Sequence, residues 1–190
     1  MEKIKVGFAL TGSYCTFAQV IPQMRALKDL GYDIYPIFSE SAAGTDTRFG
    51  RAEDFLWQAE DICGRKALTS VPETEPIGPK KLIDLLLVAP CTGNTLGKIA
   101  HGVTDSSVTM AAKAHLRNER PLVLAVSTND ALSGAAANIG ALLNRRNLFF
   151  VPFGQDDPEK KPRSCVAKFE RIAETVTAAL ENRQLQPLLV

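Results

Sequence analysis

Histidine is nearly absent from this chain. His101 and His115 are the only two in 190 residues, which leaves few side chains that change charge near neutral pH and so few candidates for acid–base work. Neither sign of charge is in excess: 22 Lys and Arg stand against 21 Asp and Glu, a formal net charge of +1. That balance gives no support for a nucleic acid or other polyanion as partner. No apolar run approaches the ~20 residues of a membrane span. The opening MEKIKVGFAL lacks the long apolar core and small-residue cleavage site of a secretory signal, so the expected location is the cytoplasm. The four cysteines, Cys15, Cys63, Cys91 and Cys165, are widely spaced and form no C-x-x-C pair. A zinc or iron–sulfur site is therefore not expected, and reduced thiols are. The dinucleotide fingerprint G-x-G-x-x-G is missing too. No repeat, low-complexity tract or linker interrupts the chain, so residues 1–190 are expected to form a single domain.

What is present is an alternation of two patterns. Apolar, strand-like runs fall at 4–10, 33–38, 82–89, 121–126 and 148–151. Helix-like segments fall between and after them, at 16–30, 51–63, 95–101, 106–117, 132–145 and 164–182. The proline-bearing stretch 69–79 and the charged stretch 155–163 read as loops. Alternating β and α segments with buried, near-continuous apolar strands predict an α/β fold: a three-layer, doubly wound parallel sheet. Right-handed crossovers leave few topologies, of which the flavodoxin-like (Rossmann-like) order 2-1-3-4-5 is favoured. In that order the first and third strands are neighbours at the switch point, and the loops after them border one crevice.

Those two loops are unusually polar. After the first strand comes Thr11-Gly12-Ser13-Tyr14, and after the third Cys91-Thr92-Gly93-Asn94-Thr95. Gly12 permits a tight turn, Ser13 adds a hydroxyl, and the helix behind supplies free N–H groups, a pattern suited to phosphate; a plain βα turn is the alternative. Ser39 and Ser41, after the second strand, add hydroxyls on the same edge. Pro90, Thr92, Asn94 and Thr95 are candidates for holding a ring edge or a phosphate, with an N-cap as the ordinary role of one of them. Asp105 is expected to cap the next helix. Asn129 follows the fourth strand and faces the same edge. Arg48, Arg51 and Arg163 are candidates for binding a substrate carboxylate, because a guanidinium grips carboxylates in pairs of hydrogen bonds.

The segment APCTGNTLGKIAHGVTD, residues 89–105, resembles the flavoprotein superfamily of homo-oligomeric flavin-containing cysteine decarboxylases and flavin prenyltransferases. The decarboxylases carry A-P-A-T-A-N-T-x-x-K-x-A-x-G-x-x-D there. Pro90, Thr92, Asn94, Thr95, Lys98, Ala100, Gly102 and Asp105 match it. Pro90-Cys91-Thr92 and Ala100-His101-Gly102 are similar to prenyltransferase segments, and Thr11 to Ser13 to the family's phosphate loop. The resemblance, which covers most of residues 4–182, implies FMN, with its phosphate near Gly12, Ser13 and Ser39 and its ring by Thr92, Asn94 and Thr95.

Departures matter as much. Where the decarboxylases have a catalytic His followed by Ile, this chain has Pro76-Ile77. Where they have P-x-M-N-x-x-M-W, only Asn129 survives. Where the prenyltransferases have Arg-Glu, it has Ser127-Thr128. These losses argue against a stand-alone decarboxylase or flavin prenyltransferase. They resemble one branch of the superfamily, found in endospore-forming bacteria. That branch works with a dehydrogenase-type A subunit carrying NADPH or NADH and oxidises a dihydrodipicolinate-type heterocycle, a small dicarboxylate, to dipicolinate. Homo-oligomers, trimers or multiples of them, are implied as well. A non-catalytic stabilising subunit is the alternative from a different class, favoured by the scarcity of acid–base residues. No catalytic residue and no metal ligand is singled out.

Overall fold

The computed structural model describes residues 3–190; Met1 and Glu2, the start of the MEKIKVGFAL segment, lie outside it. Four long parallel strands form the sheet: β1 (Lys5–Leu10), β2 (Asp33–Phe38), β3 (Leu85–Cys91) and β4 (Leu122–Thr128), in the order β2-β1-β3-β4. A short fifth strand, β5 (Leu148–Phe150), lies parallel to the first half of β4. The expected order 2-1-3-4-5 is therefore the observed one. Val6 of β1 stands opposite Ile34 on one side and Leu85 on the other, so β1 and β3 lie side by side.

All seven residues of β3 are buried. A central parallel strand covered on both faces has no solvent side, which is why its sequence does not alternate. A truncation such as Leu86→Ala should cost ~2–5 kcal/mol. The covering layers are helical. Helix α1 (Phe17–Asp29) follows β1, and α2 (Glu40–Gly44) and α3 (Ala52–Cys63) follow β2. The short α4 (Val71–Thr74) precedes β3, α5 (Gly93–His101) and α6 (Ser107–Leu116) follow it, and α7 (Ala136–Leu143) follows β4. The last helix is α8 (Ile172–Leu180). α1 packs with α3 and α8, whereas α5 packs with α6 and α7.

Several boundaries differ from expectation. Residues 69–79 are not a plain loop but contain α4 and a 3₁₀ turn, Glu75–Ile77. The Glu73 carboxylate collects the N–H groups of Thr69 and Ser70, and proline is compatible with a first helical turn. β3 runs on through Pro90 to Cys91. α7 begins at Ala136 rather than near 132, because the N–H groups of Ser133 and Ala135 both turn back onto the Asp130 carbonyl.

The largest correction concerns residues 164–182, expected as one helix. Cys165–Ala167 instead form a strand, β7, antiparallel to the end of β4, with Ser127 opposite Val166 and Thr128 opposite Cys165. Strand β6 (Phe153–Gly154) pairs on its outer side. The fifth sheet position is thus split: β5 flanks the start of β4, and the β6–β7 hairpin flanks its end. Long-range pairing decided this, and a three-residue strand carries no periodicity of its own.

Candidate functional site

The carboxyl ends of β1, β3 and β4 meet at one crevice, bolted together by a threonine. Thr11 donates its hydroxyl to the Pro90 carbonyl at 2.7 Å and accepts the Thr92 N–H at 3.1 Å. This contact joins loops that are about eighty positions apart in sequence. Ser13 reaches across to β4, where its hydroxyl lies 2.7 Å from that of Ser127. Thr92 caps α5, accepting the Thr95 N–H at 3.3 Å. The first N–H groups of α5, those of Gly93 and Asn94, have no intrahelical acceptor.

Gly93 is fixed by space. A Cβ there would stand 2.6 Å from Asp130 Oδ1 and 2.7 Å from Thr128 Oγ1. Only a residue without a side chain lets α5 start this close to the end of β4.

The crevice has two lobes that share Gly12 and Thr92. One is a cavity of about 530 Å³ walled by hydroxyls and amides, including Ser39, Ser41, Asn94 and Thr95. The other is a cavity of about 680 Å³ lined by Ser13, Ser127 and Asn129 together with residues of the β6–β7 hairpin, whose Val166 pairs with Ser127. Both sizes suit small ligands or cofactors.

The expected residues divide as follows. Gly12, Ser13, Ser39, Thr92, Asn94, Thr95 and Asn129 all line one lobe or the other. Pro90 lines neither; it is buried and offers its carbonyl to Thr11. Ser39 also caps α2 through the Ala42 N–H at 3.2 Å. Asn129 accepts the Ser164 hydroxyl at 3.4 Å. The carboxamide of Asn94 is exposed and meets no hydrogen-bond partner among the described residues. Arg48, Arg51 and Arg163 line neither lobe. Arg48 stacks over the Phe49 ring at 4.9 Å, and Arg51 pairs with Glu53. The Arg163 carbonyl receives the Leu132 N–H.

Asp105 does not cap α6: Ser106 does, with Thr109 completing a reciprocal pair. Asp105 instead pairs with Lys98 at 2.8 Å, and that hydrogen bond holds its carboxyl below the usual range. Cys91 is fully buried, and burial pushes its thiol far up, so it is a packing residue and not a nucleophile. Cys15 is exposed and lines the larger lobe.

Sequence reasoning missed Ser127, Gln155, Lys161 and Lys168, all on the larger lobe. Ser127 was legible only as a departure from a motif. The other three are carried to the crevice by the hairpin or its connecting loop, and the segment's composition reads as surface.

A parallel sheet with hydroxyl-rich loops converging at its β1/β3 switch point is the architecture of a ligand-binding flavoprotein fold. The Flavoprotein family model matches residues 1–181, and the chain belongs to that family. Within it, the chain is 46% identical to the B subunit of dipicolinate synthase of Bacillus subtilis (strain 168) over 186 residues, 98% of this chain and 93% of that protein. The crystal structure of the corresponding B subunit from Bacillus halodurans C covers 100% of this chain, and 98% of that one is covered, at 43% identity and a TM-score of 0.91. The FMN-dependent cysteine decarboxylase SpaF shares the fold at 19% identity, with a TM-score of 0.67 over 94% of this chain and 97% of that one.

Proposed function

We propose that this chain is the flavoprotein-type B subunit of a dipicolinate synthase. With a nicotinamide-dependent A subunit it oxidises a dihydrodipicolinate-type heterocycle to dipicolinate in the mother-cell cytoplasm of a sporulating bacterium. The observation that carries the reading is the two-lobed crevice at the β1/β3 switch point, in a chain this similar to the Bacillus subtilis B subunit. Among the described residues no helix is long and apolar enough to cross a membrane.

The residues fit FMN. A Cβ at Gly12 would meet the Tyr14 ring and Ser41 Oγ at the ordinary contact distances of 3.6 and 3.7 Å, among residues that line the smaller lobe. The smaller lobe offers the hydroxyls of Ser39, Ser41 and Thr95 and the Asn94 carboxamide for a phosphate and a ring edge, with Lys98 beside the carboxylates of Glu40 and Asp105. Gly12, Ser13 and Ser39 would hold the phosphate; Thr92, Asn94 and Thr95 would hold the ring edge, and Asn129 lines the adjoining larger lobe. When bound, FMN supplies two-electron redox chemistry.

Aromatising the dihydropyridine removes one hydride equivalent and one proton. Neither histidine lines a lobe: His115 is bonded to the Pro121 carbonyl and His101 to the Gly97 carbonyl. Asp156 and Glu170 line the larger lobe, and the proton would pass to one of these carboxylates or to water. We assign the hydride acceptor to the nicotinamide of the A subunit. The chain's own residues orient the substrate and exclude water. Ser127 and Thr128 are engaged with Ser13 and Asp130, which gives the stand-alone decarboxylase or prenyltransferase reading no support.

The test is an absorbance spectrum after incubation with FMN and desalting, followed by reconstitution with the A subunit. A retained flavin band and dipicolinate formation only with both subunits are expected. Normal dipicolinate levels in a strain lacking this chain would refute the reading. A fold relative is a dodecameric FMN-dependent UbiX-like decarboxylase from Escherichia coli O157:H7. Trimers or multiples of them are likewise expected here, and a clean monomer by light scattering would contradict that.

A further inference from the structure

Resting on the function proposed above, we infer that the larger lobe is the substrate subsite and that Lys168, not an arginine, anchors a substrate carboxylate. Among the described residues, three cationic side chains line the two lobes: Lys98, Lys161 and Lys168. Lys98 is tied to Asp105 at 2.8 Å, and Lys161 to Asp156 at 3.1 Å. The Lys168 ammonium has no acceptor among the described residues. It is the uncommitted cation of the crevice.

Its placement suits a flat dicarboxylate. Lys168, an exposed residue, follows directly on β7 and lies two positions after Val166, which lines the cavity as an apolar side chain. Ser127, the cross-strand partner of Val166, and Asn129 line the same lobe. An aromatic ring with carboxylates on either side can place its face on Val166, one carboxylate toward Lys168 and the other toward Ser127 and Asn129. Asp156 and Glu170 also line the lobe and balance the two lysines. The cavity is therefore not a general anion trap, and recognition depends on positioned groups rather than on net field. The arginines suggested by sequence lie off both lobes.

The experiment is calorimetric titration of the full chain with pyridine-2,6-dicarboxylate, with and without FMN, beside FMN titrations of every variant. Wild type should bind the dicarboxylate more tightly than pyridine-2-carboxylate. Lys168→Gln should weaken dicarboxylate binding about tenfold or more, because a charge-assisted hydrogen bond is lost. Lys168→Arg should retain most of it, and FMN affinity should stay the same in both variants. Equal dicarboxylate binding by wild type and Lys168→Gln, or none by wild type in the presence of FMN, overturns the inference. If Lys168→Gln lost FMN affinity instead, the lobe would belong to the cofactor and the inference would fall while the flavin reading stood. If no FMN bound at all but dicarboxylate binding still depended on Lys168, the flavin reading would fall and the subsite would stand.

Discussion

Gly93→Ala should damage the crevice without touching a single polar group of it. The new methyl would lie 2.6 Å from Asp130 Oδ1 and 2.7 Å from Thr128 Oγ1, against a comfortable separation of about 3.5 Å. Those two oxygens are hydrogen-bonded to each other, so neither can swing aside without breaking that contact. The start of α5 must retreat by several tenths of an ångström. Overpacking of this kind costs ~1–3 kcal/mol. Because Gly93 is the first residue of α5, the retreat carries Thr92, Asn94 and Thr95 with it, and a misplacement approaching 1 Å can cost a positioned site up to ~100-fold. Urea unfolding and FMN titration read the two effects separately. Gly140→Ala is the contrast: its Cβ would meet nothing within 4 Å inside α7, so it should stabilise by up to about 1 kcal/mol. In an Asp130→Ala background the cost of Gly93→Ala should shrink, since one of the two obstructing oxygens is gone. A Gly93→Ala protein as stable as wild type, with unchanged FMN affinity, would refute the close approach on which this reasoning depends.

Asn94→Ala should leave stability within about 0.5 kcal/mol of wild type, because the carboxamide is exposed and has no partner among the described residues, yet it should weaken FMN binding; loss of both together would mean that Asn94 is structural. His115 is buried, and desolvation outweighs its hydrogen bond to the Pro121 carbonyl, lowering its pKa from 6.5 to about 4. The unfolded chain therefore takes up a proton below pH 6.5 that the native chain refuses. The stability that His115 contributes is intact above that pH and falls as pH drops toward 4. Between pH 7.5 and 5 the loss should be about 2 kcal/mol, and His115→Gln should remove that slope from urea midpoints. Thiol titration of the native protein should label Cys15 first, since Cys63, Cys91 and Cys165 are buried, with burial pushing Cys63 up to about 12; rapid labelling of Cys91 would contradict the packing around the β3 loop.

The sheet was legible because parallel central strands must be apolar on both faces. The runs at 4–10, 33–38 and 121–126 lie within a few residues of β1, β2 and β4, and the strand order followed from handedness and connection length. The polar character of the Thr11–Ser13 and Thr92–Thr95 loops was legible too, because each follows directly on an apolar run. Sequence by itself thus determined the layers, the switch point and several residues of the smaller lobe, Gly12, Ser39, Thr92, Asn94 and Thr95 among them, but not Glu40. Tertiary structure alone decided the rest. The Thr11–Pro90 bolt joins loops that sequence can only list separately. Gly93 matters because of what stands behind it, and nothing local reveals that. β7 exists because the end of β4 offers unpaired backbone groups to a segment whose own pattern reads as helix. With that hairpin come Lys161 and Lys168, while Arg48 and Arg51 settle on their own neighbours away from the crevice. Local patterns report what a segment can bury; which charged group faces a cavity depends on contacts between segments far apart in the chain.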